Sequence, residues 1–291
     1  MSQILVTGAK GQVGCELVEK LLVLGHKVIA CGHADLDITQ ENEVEAAFDA
    51  TSIDLVINSA AYTAVDKAED EETLAYAVNG LGSKNLAKAC QKRDIPLINI
   101  STDYVYDNGL AKVHTEDEAP NTRCVYGKTK LFGEKFIEDS GCKFVTLRAS
   151  WIFGRYGKNF VKAMLNLAKT RDKLTVVCDE LGNPTPARAL AEDICKIATM
   201  MLEGDFDKWG TYNYCGHDAI VRCDFAVEIL KKAREIGLLD HDVTVGHITS
   251  KEFGAKATRP SDSRMSTEKF ERTFSLKAPK WADYIEETLR G

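Results

Sequence analysis

Tyr126 and Lys130, in the run Tyr126-Gly-Lys-Thr-Lys130, are four residues apart and so share one face of a helix. A phenol titrates near ~10 and is a poor acid-base group at neutral pH, but a fixed cation beside it favours the ionised form. Such a phenol can give its proton to a carbonyl oxygen while hydride reaches the carbonyl carbon, then recover a proton from solvent. Upstream, Ser101-Thr102-Asp103-Tyr104-Val105 offers hydroxyls that can hydrogen-bond the same oxygen. A Tyr-x-x-x-Lys pair alone is common on helix surfaces, so its meaning depends on where the fold places it.

A second pattern carries different chemistry. Gly8-x-x-Gly11-x-x-Gly14 follows the apolar run Ile4-Leu5-Val6 and opens a segment whose apolar residues Val13, Leu17, Leu21 and Leu24 recur at helical spacing. In a strand, turn and helix of this kind, glycines let a pyrophosphate approach the backbone, and the helix N-terminus presents free amides to it. Gly8, Gly11, Gln12, Val13 and Gly14 are therefore the first candidates for dinucleotide binding.

The alternation that starts there continues. Strands are expected at Lys27-Cys31, Asp54-Asn58, Pro96-Ile100 and Phe144-Arg148, and helices over Glu41-Phe48, about Glu71 to Arg93, and around Tyr126 and Lys130. Short apolar runs separated by helices indicate an α/β, Rossmann-type, doubly wound parallel sheet. Beyond Trp151 the rhythm loosens, with helices near 159–169, 187–203 and 222–236 and strands near 174–177 and 211–214. Residues 1–150 are expected to form the dinucleotide-binding domain. Residues 151–291 are expected to form mainly a smaller substrate-binding lobe, with some segments free to return to the main sheet.

Bulk properties narrow the possibilities further. Over 291 residues, 44% are hydrophobic and 28% charged, and the net charge of −7 gives no attraction for nucleic acid or anionic lipid. The N-terminus has neither a signal peptide nor a spanning segment, so the expected location is cytoplasmic. Nine scattered cysteines without a Cys-x-x-Cys pair argue against a disulfide framework and against a zinc site; reduced thiols are expected, and no metal.

The glycine spacing resembles the short-chain dehydrogenases/reductases. Further matches extend the resemblance, over nearly the whole chain, to the dTDP-4-dehydrorhamnose reductase family within their extended branch. They include Asn58-Ser-Ala-Ala-Tyr62-Thr63, Arg148-Ala-Ser-Trp151-Ile-Phe-Gly154, Gly157-Lys-Asn159-Phe160, Gly182-Asn-Pro184-Thr185 and Arg259-Pro260-x-x-Ser263-Arg264. The resemblance implies NADPH- or NADH-dependent reduction of the 4-keto group of a dTDP-sugar. Tyr126 would be the proton donor, Lys130 would tune it and hold the nicotinamide ribose, and Thr102 would assist. Asp37, Ile38, Ala60, Ala61, Tyr62, Thr63 and Ser101 would line the cofactor, and Thr102, Asp103, Trp151, Asn159 and Arg259 the sugar nucleotide. Asp37 is equally suited to cap the helix after it.

Where the chain departs from its relatives, the expectations sharpen or weaken. Sugar-nucleotide dehydratases carry Asp-Glu after the threonine, whereas this chain has Asp103-Tyr104, which favours reduction over dehydration. The second strand ends at Ala30-Cys31-Gly32-His33 without an acid for a ribose 2'-hydroxyl, so both nicotinamides are expected to serve. Some family members form a dimer bridged by magnesium. Glu16 matches one ligand, but Arg188 aligns with another, so a monomer or a metal-independent homodimer is expected. The 106–118 loop diverges, which leaves open the exact sugar. Also open are a reductase or epimerase of another nucleotide sugar, and a regulatory subunit that binds a dinucleotide without turnover.

Overall fold

The computed structural model describes residues 1–106 and 111–291. The chain begins with β1 (Gln3–Thr7), α1 (Gln12–Val23), β2 (Lys27–Cys31), α2 (Glu41–Ala50) and β3 (Leu55–Asn58). Two short helices follow, α3 (Val65–Ala68) and α4 (Glu72–Tyr76). A wider π-type turn over Ala77–Gly82 runs into α5 (Ser83–Lys92), so the single helix expected over 71–93 is continuous but locally widened. Asn79 explains the widening: its side chain bonds the main chain of Tyr62 at both N and O and donates to Thr129 Oγ1. Such bulges cluster at functional sites.

Next come β4 (Leu97–Thr102), α6 (Val125–Asp139) and β5 (Phe144–Ala149). Beyond them lie β6 (Ile152–Phe153), α7 (Phe160–Ala168), β7 (Lys173–Val177), β8 (Leu181–Gly182), β9 (Thr185–Pro186) and α8 (Ala187–Leu202). The chain closes with β10 (Gly210–Tyr214), β11 (Ile220–Val221), α9 (Arg222–Glu235), β12 (Thr244–Ile248), α10 (Ser250–Phe253), α11 (Glu268–Phe274) and α12 (Ile285–Arg290).

Six parallel strands form the main sheet in the order β10-β5-β4-β3-β1-β2. The chain leaves β1 in one direction to β2 and in the other to β3, and in open sheets of this kind ligands bind where the order reverses, at the carboxyl ends of the strands. One face of the sheet is covered by α1, α8 and α11 around Leu17, Leu190 and Phe270; the other carries α2 and α5 around Phe48 and Leu86. β10 comes from the second half of the chain, so that half completes the sheet as well as building a separate apolar cluster around Phe153, Phe225 and Trp281.

One expectation fails here. Cys178 and Cys223 are joined as a disulfide across 45 residues, with Cα atoms 5.1 Å apart. The fold brings together what the sequence keeps apart, because Cys178 follows β7 and Cys223 opens α9. The other seven cysteines form no disulfide, and five of them are buried as small hydrophobes. Among the described residues no helix is long and apolar enough to cross a membrane. Residues 107–110 of the divergent loop lie outside the described residues. On either side of them, Tyr106 and His114 are buried and stacked, with ring centroids 5.0 Å apart.

Candidate active site

At Gly8 and Gly14, the turn after β1 has no room for a side chain. Gly8 has φ +65°, and a β-carbon there would meet Ala60 N at 2.5 Å; at Gly14 it would meet Gly8 O at 2.2 Å. Gly11 N donates to Gly8 O, closing the turn ahead of α1. Among the described residues no side chain caps helix α1, so its first amides are open to an anion. A dinucleotide pyrophosphate fits such a cradle.

Around it the other candidates divide. Ala60, Ala61 and Tyr62 leave β3 partly exposed, and Thr63 is exposed; Ala60 N is fixed by Asn58 Oδ1, which also accepts from Thr7 Oγ1. Val13 and Ile38 are core residues, Ile38 wedged beneath Gly82. Asp37 accepts from Thr39 N in a local turn and does not cap α2, whose N-cap is Gln40. Ser101 donates to Glu134, which is ion-paired with Arg148 at 2.6 Å in a buried network that includes Tyr106, so its hydroxyl is committed inward. Gln12 accepts from Asn159 Nδ2, and Asn159 Oδ1 caps α7 at Lys162 N. Asn159 thus ties α7 to the glycine turn.

The end of β2 holds a residue that sequence reasoning missed. Asp35 Oδ2 accepts from Gly32 N at 2.9 Å and from Lys10 Nζ at 3.0 Å. A carboxylate therefore does stand at this strand end, delivered by the loop after it. The lysine partner holds it below the ordinary carboxylate range.

The chemical centre sits where α6 crosses the end of β4. Glu69 accepts from Val125 N at the start of α6, and Gly127 is closely covered by Thr122 and Tyr104 O. Tyr126 keeps an exposed edge and meets Tyr104 edge-on, ring centroids 5.3 Å apart. Burial pushes its phenol well above the ordinary value, while the Thr102 hydroxyl beside it pulls it down. Lys130 is buried and donates to Ile100 O at 2.7 Å; burial lowers it to about 8, against the opposing pull of Glu134. The Lys130 ammonium is turned to the end of β4, from the same face of α6 that carries Tyr126.

Asp103 is buried beside them, with Thr102 Oγ1 donating to its Oδ1 at 3.1 Å and, among the described residues, no hydrogen bond to its Oδ2. Burial raises its carboxyl to about 6, although Ser263, Thr102 and Arg222 pull it down; Ser263 stands next to it without well-formed hydrogen-bond geometry. Arg222, a second residue missed in the sequence, lays its guanidinium over the Trp151 ring at 3.9 Å and donates to buried Glu180 at 2.5 Å. Trp151 has φ +44°, a conformation rare for a bulky residue. Its ring occupies the space above Gly182, where a β-carbon would meet it at 2.7 Å. Arg259 donates to Asp66 of α3 at 2.7 Å, and its buried Nε has no partner among the described residues. Thr102, Asp103, Tyr126, Trp151 and Arg259 thus gather at one place, whereas Asn159 lies with the glycine turn.

Comparison with known proteins identifies the family. The family model of the RmlD substrate binding domain matches residues 1–291. A dTDP-4-dehydrorhamnose reductase of Aggregatibacter actinomycetemcomitans is 37% identical over 282 residues, 97% of this chain and 96% of its own. Among solved structures, a dTDP-4-dehydrorhamnose reductase from Clostridium acetobutylicum superposes with a TM-score of 0.91 at 38% identity, covering 99% of this chain and 98% of that one. The Bacillus anthracis enzyme of the same name, in complex with NADP, gives 0.90 at 32% identity over 99% of both chains.

Proposed function

The chain belongs to the RmlD substrate binding domain family, and from that premise we propose that it reduces the 4-keto group of a dTDP-4-keto-6-deoxy sugar, converting dTDP-4-dehydrorhamnose to dTDP-L-rhamnose with NADPH or NADH. The observation that carries this reading is the Tyr126 phenol standing beside the Thr102 hydroxyl, at the same sheet end as the glycine cradle. Reduction consumes a proton at the carbonyl oxygen, so a protonated phenol is the form the reaction needs.

Gly8, Gly11 and Gly14 admit the dinucleotide, with Ala60, Ala61 and Tyr62 beside it. When bound, the nicotinamide supplies hydride to the carbonyl carbon. Tyr126 gives its proton to the carbonyl oxygen, Thr102 hydrogen-bonds that oxygen, and Lys130 contributes positive charge below about pH 8. Trp151, Arg222 and Arg259 hold the nucleotide sugar, whose diphosphate suits guanidinium groups. Residues 1–150 serve mainly the dinucleotide and 151–291 mainly the sugar, in the cytoplasm. Assembly needs no magnesium: Arg155 engages Glu16 and Glu19, and Arg188 is paired with Glu192 and Glu287.

Incubation with dTDP-4-dehydrorhamnose and each nicotinamide, following absorbance of the reduced cofactor, tests the reaction. Tyr126→Phe is expected to lower kcat by roughly a hundredfold or more, the size of a lost general acid, with cofactor affinity nearly intact. Near-normal turnover in that variant would remove Tyr126 from the mechanism. Turnover of other nucleotide sugars but not this one would replace the substrate.

A further inference from the structure

Three side chains with metal-ligand chemistry meet between β7, α9 and β12. Cys178 follows β7, Cys223 lies in the first turn of α9, and His247 lies on β12 opposite Val176 of β7. Their sulfur and ring-nitrogen atoms all fall within 4.8 Å of one another, the one such cluster among the described residues. His247 is exposed and makes no side-chain hydrogen bond or ion pair among the described residues, so its ring is free to ligate. The helix N-terminus favours the thiolate of Cys223.

Two thiolates and an imidazole suit a cation of borderline softness such as zinc, whereas magnesium and calcium take oxygen. We propose that, once the disulfide is reduced, Cys178, Cys223 and His247 bind one zinc-like divalent cation, with water in the fourth position. A disulfide and this site exclude each other. Zinc–sulfur bonds of about 2.3 Å at tetrahedral angles place the two sulfurs roughly 3.7 Å apart, beyond any bond between them. The exchange balances. A thiol-class reductant supplies two electrons and becomes a disulfide, its two protons pass to the cysteine sulfurs, and the cation then displaces both protons as it binds the thiolates.

The location gives the site a structural role in either state. Cys178 is two residues from Glu180, and Cys223 adjoins Arg222, the pair that supports Trp151. Disulfide and metal each tie the end of β7 to α9; the reduced, metal-free state leaves that tie open.

The test uses the full chain, reduced anaerobically with a phosphine, freed of excess reagent and titrated with cobalt(II). Expected is one cobalt per chain, with thiolate-to-cobalt charge-transfer absorption and tetrahedral visible bands that one equivalent of zinc abolishes. The oxidised protein should show neither. C178S and C223S should each weaken the charge-transfer band, and H247A should loosen cobalt by at least roughly tenfold while leaving the thermal midpoint of the oxidised protein unchanged. Absence of a charge-transfer band in the reduced protein would overturn the proposal. So would a band that survives in both cysteine variants, since one of the seven other thiols would then hold the cobalt. If the cysteine variants fail to fold, the exposed His247 decides, because unchanged affinity in H247A also rejects the site.

Discussion

At the proposed dinucleotide end, the cradle lies between Thr7 and Gly14 and consists of backbone and missing side chains; at the proposed sugar end, Asp66, Trp151, Glu180, Arg222 and Arg259 arrive from separate segments and are held by charge. The first is a local shape that tolerates nothing added. The second is a set of long-range ion pairs in which each member can be weakened by degrees. Damage at the two ends should therefore differ in kind, by steric exclusion at one and graded loss at the other.

The largest effect is expected from Gly14→Ala. The added methyl would sit 2.2 Å from Gly8 O and 2.7 Å from Ala9 Cα, so backbone must move. Nicotinamide affinity should fall by more than about a hundredfold, a loss of roughly 2.7 kcal/mol, with the circular dichroism of the sheet retained. A dissociation constant within a few-fold of the parent would mean that the turn yields easily, and the contrast between the two ends would collapse. At the sugar end, Arg222→Lys keeps the charge but gives up the planar stack on Trp151 and the directed bond to Glu180. A desolvated cation–π contact is worth about 2 kcal/mol, so KM for the nucleotide sugar should rise roughly ten- to thirtyfold with kcat little changed. A fall in kcat at constant KM would instead move Arg222 from binding to the chemical step.

Asp103→Asn separates function from stability. The folded carboxyl titrates at about 6, above its unfolded value, so the folded state takes up protons more readily and the cost of ionising the buried group is present in full above about pH 6. That cost fades as pH falls through 6 towards the ordinary carboxylate range. Asparagine keeps an acceptor for Thr102 without the charge, and at about 1.4 kcal/mol per pH unit it should add roughly 3 kcal/mol of stability at pH 7.5, and little near pH 4. An unchanged or lower thermal midpoint at pH 7.5 would mean that Asp103 is compensated by contacts beyond those described.

The same contrast explains what could be read in advance. The glycine turn, the strand–helix alternation and the Tyr126/Lys130 spacing are periodic or local, and each appears where the pattern put it. Arg222 and Glu180 carry no local signal: an arginine at the start of one helix and a glutamate before a short strand become partners only when β8 and β11 pair. Position alone likewise does not reveal that the Ser101 hydroxyl faces Glu134 or that Ile38 fills the core. Cys178, Cys223 and His247 belong to three elements, and no spacing rule connects them.

The smallest effect is expected where the proposed dinucleotide end also uses charge. Asp35 stands at the end of β2, where a ribose 2'-hydroxyl is commonly held, and Lys10 neutralises it at 3.0 Å. A carboxylate in that position favours NADH by accepting from the hydroxyl and repelling a 2'-phosphate, whereas the lysine favours NADPH; paired, they should leave the two cofactors nearly equivalent. Both side chains are well exposed, so water and salt screen them and neither can impose strong selection. Asp35→Asn should shift the ratio of kcat/KM towards NADPH, and Lys10→Ala towards NADH, each by no more than about fivefold and less at high salt. Because the two changes act on the same pair in opposite directions, measuring both ratios at low and high ionic strength is decisive. Shifts in the same direction, or shifts indifferent to salt, would show that selection comes from shape at the glycine turn and not from this pair.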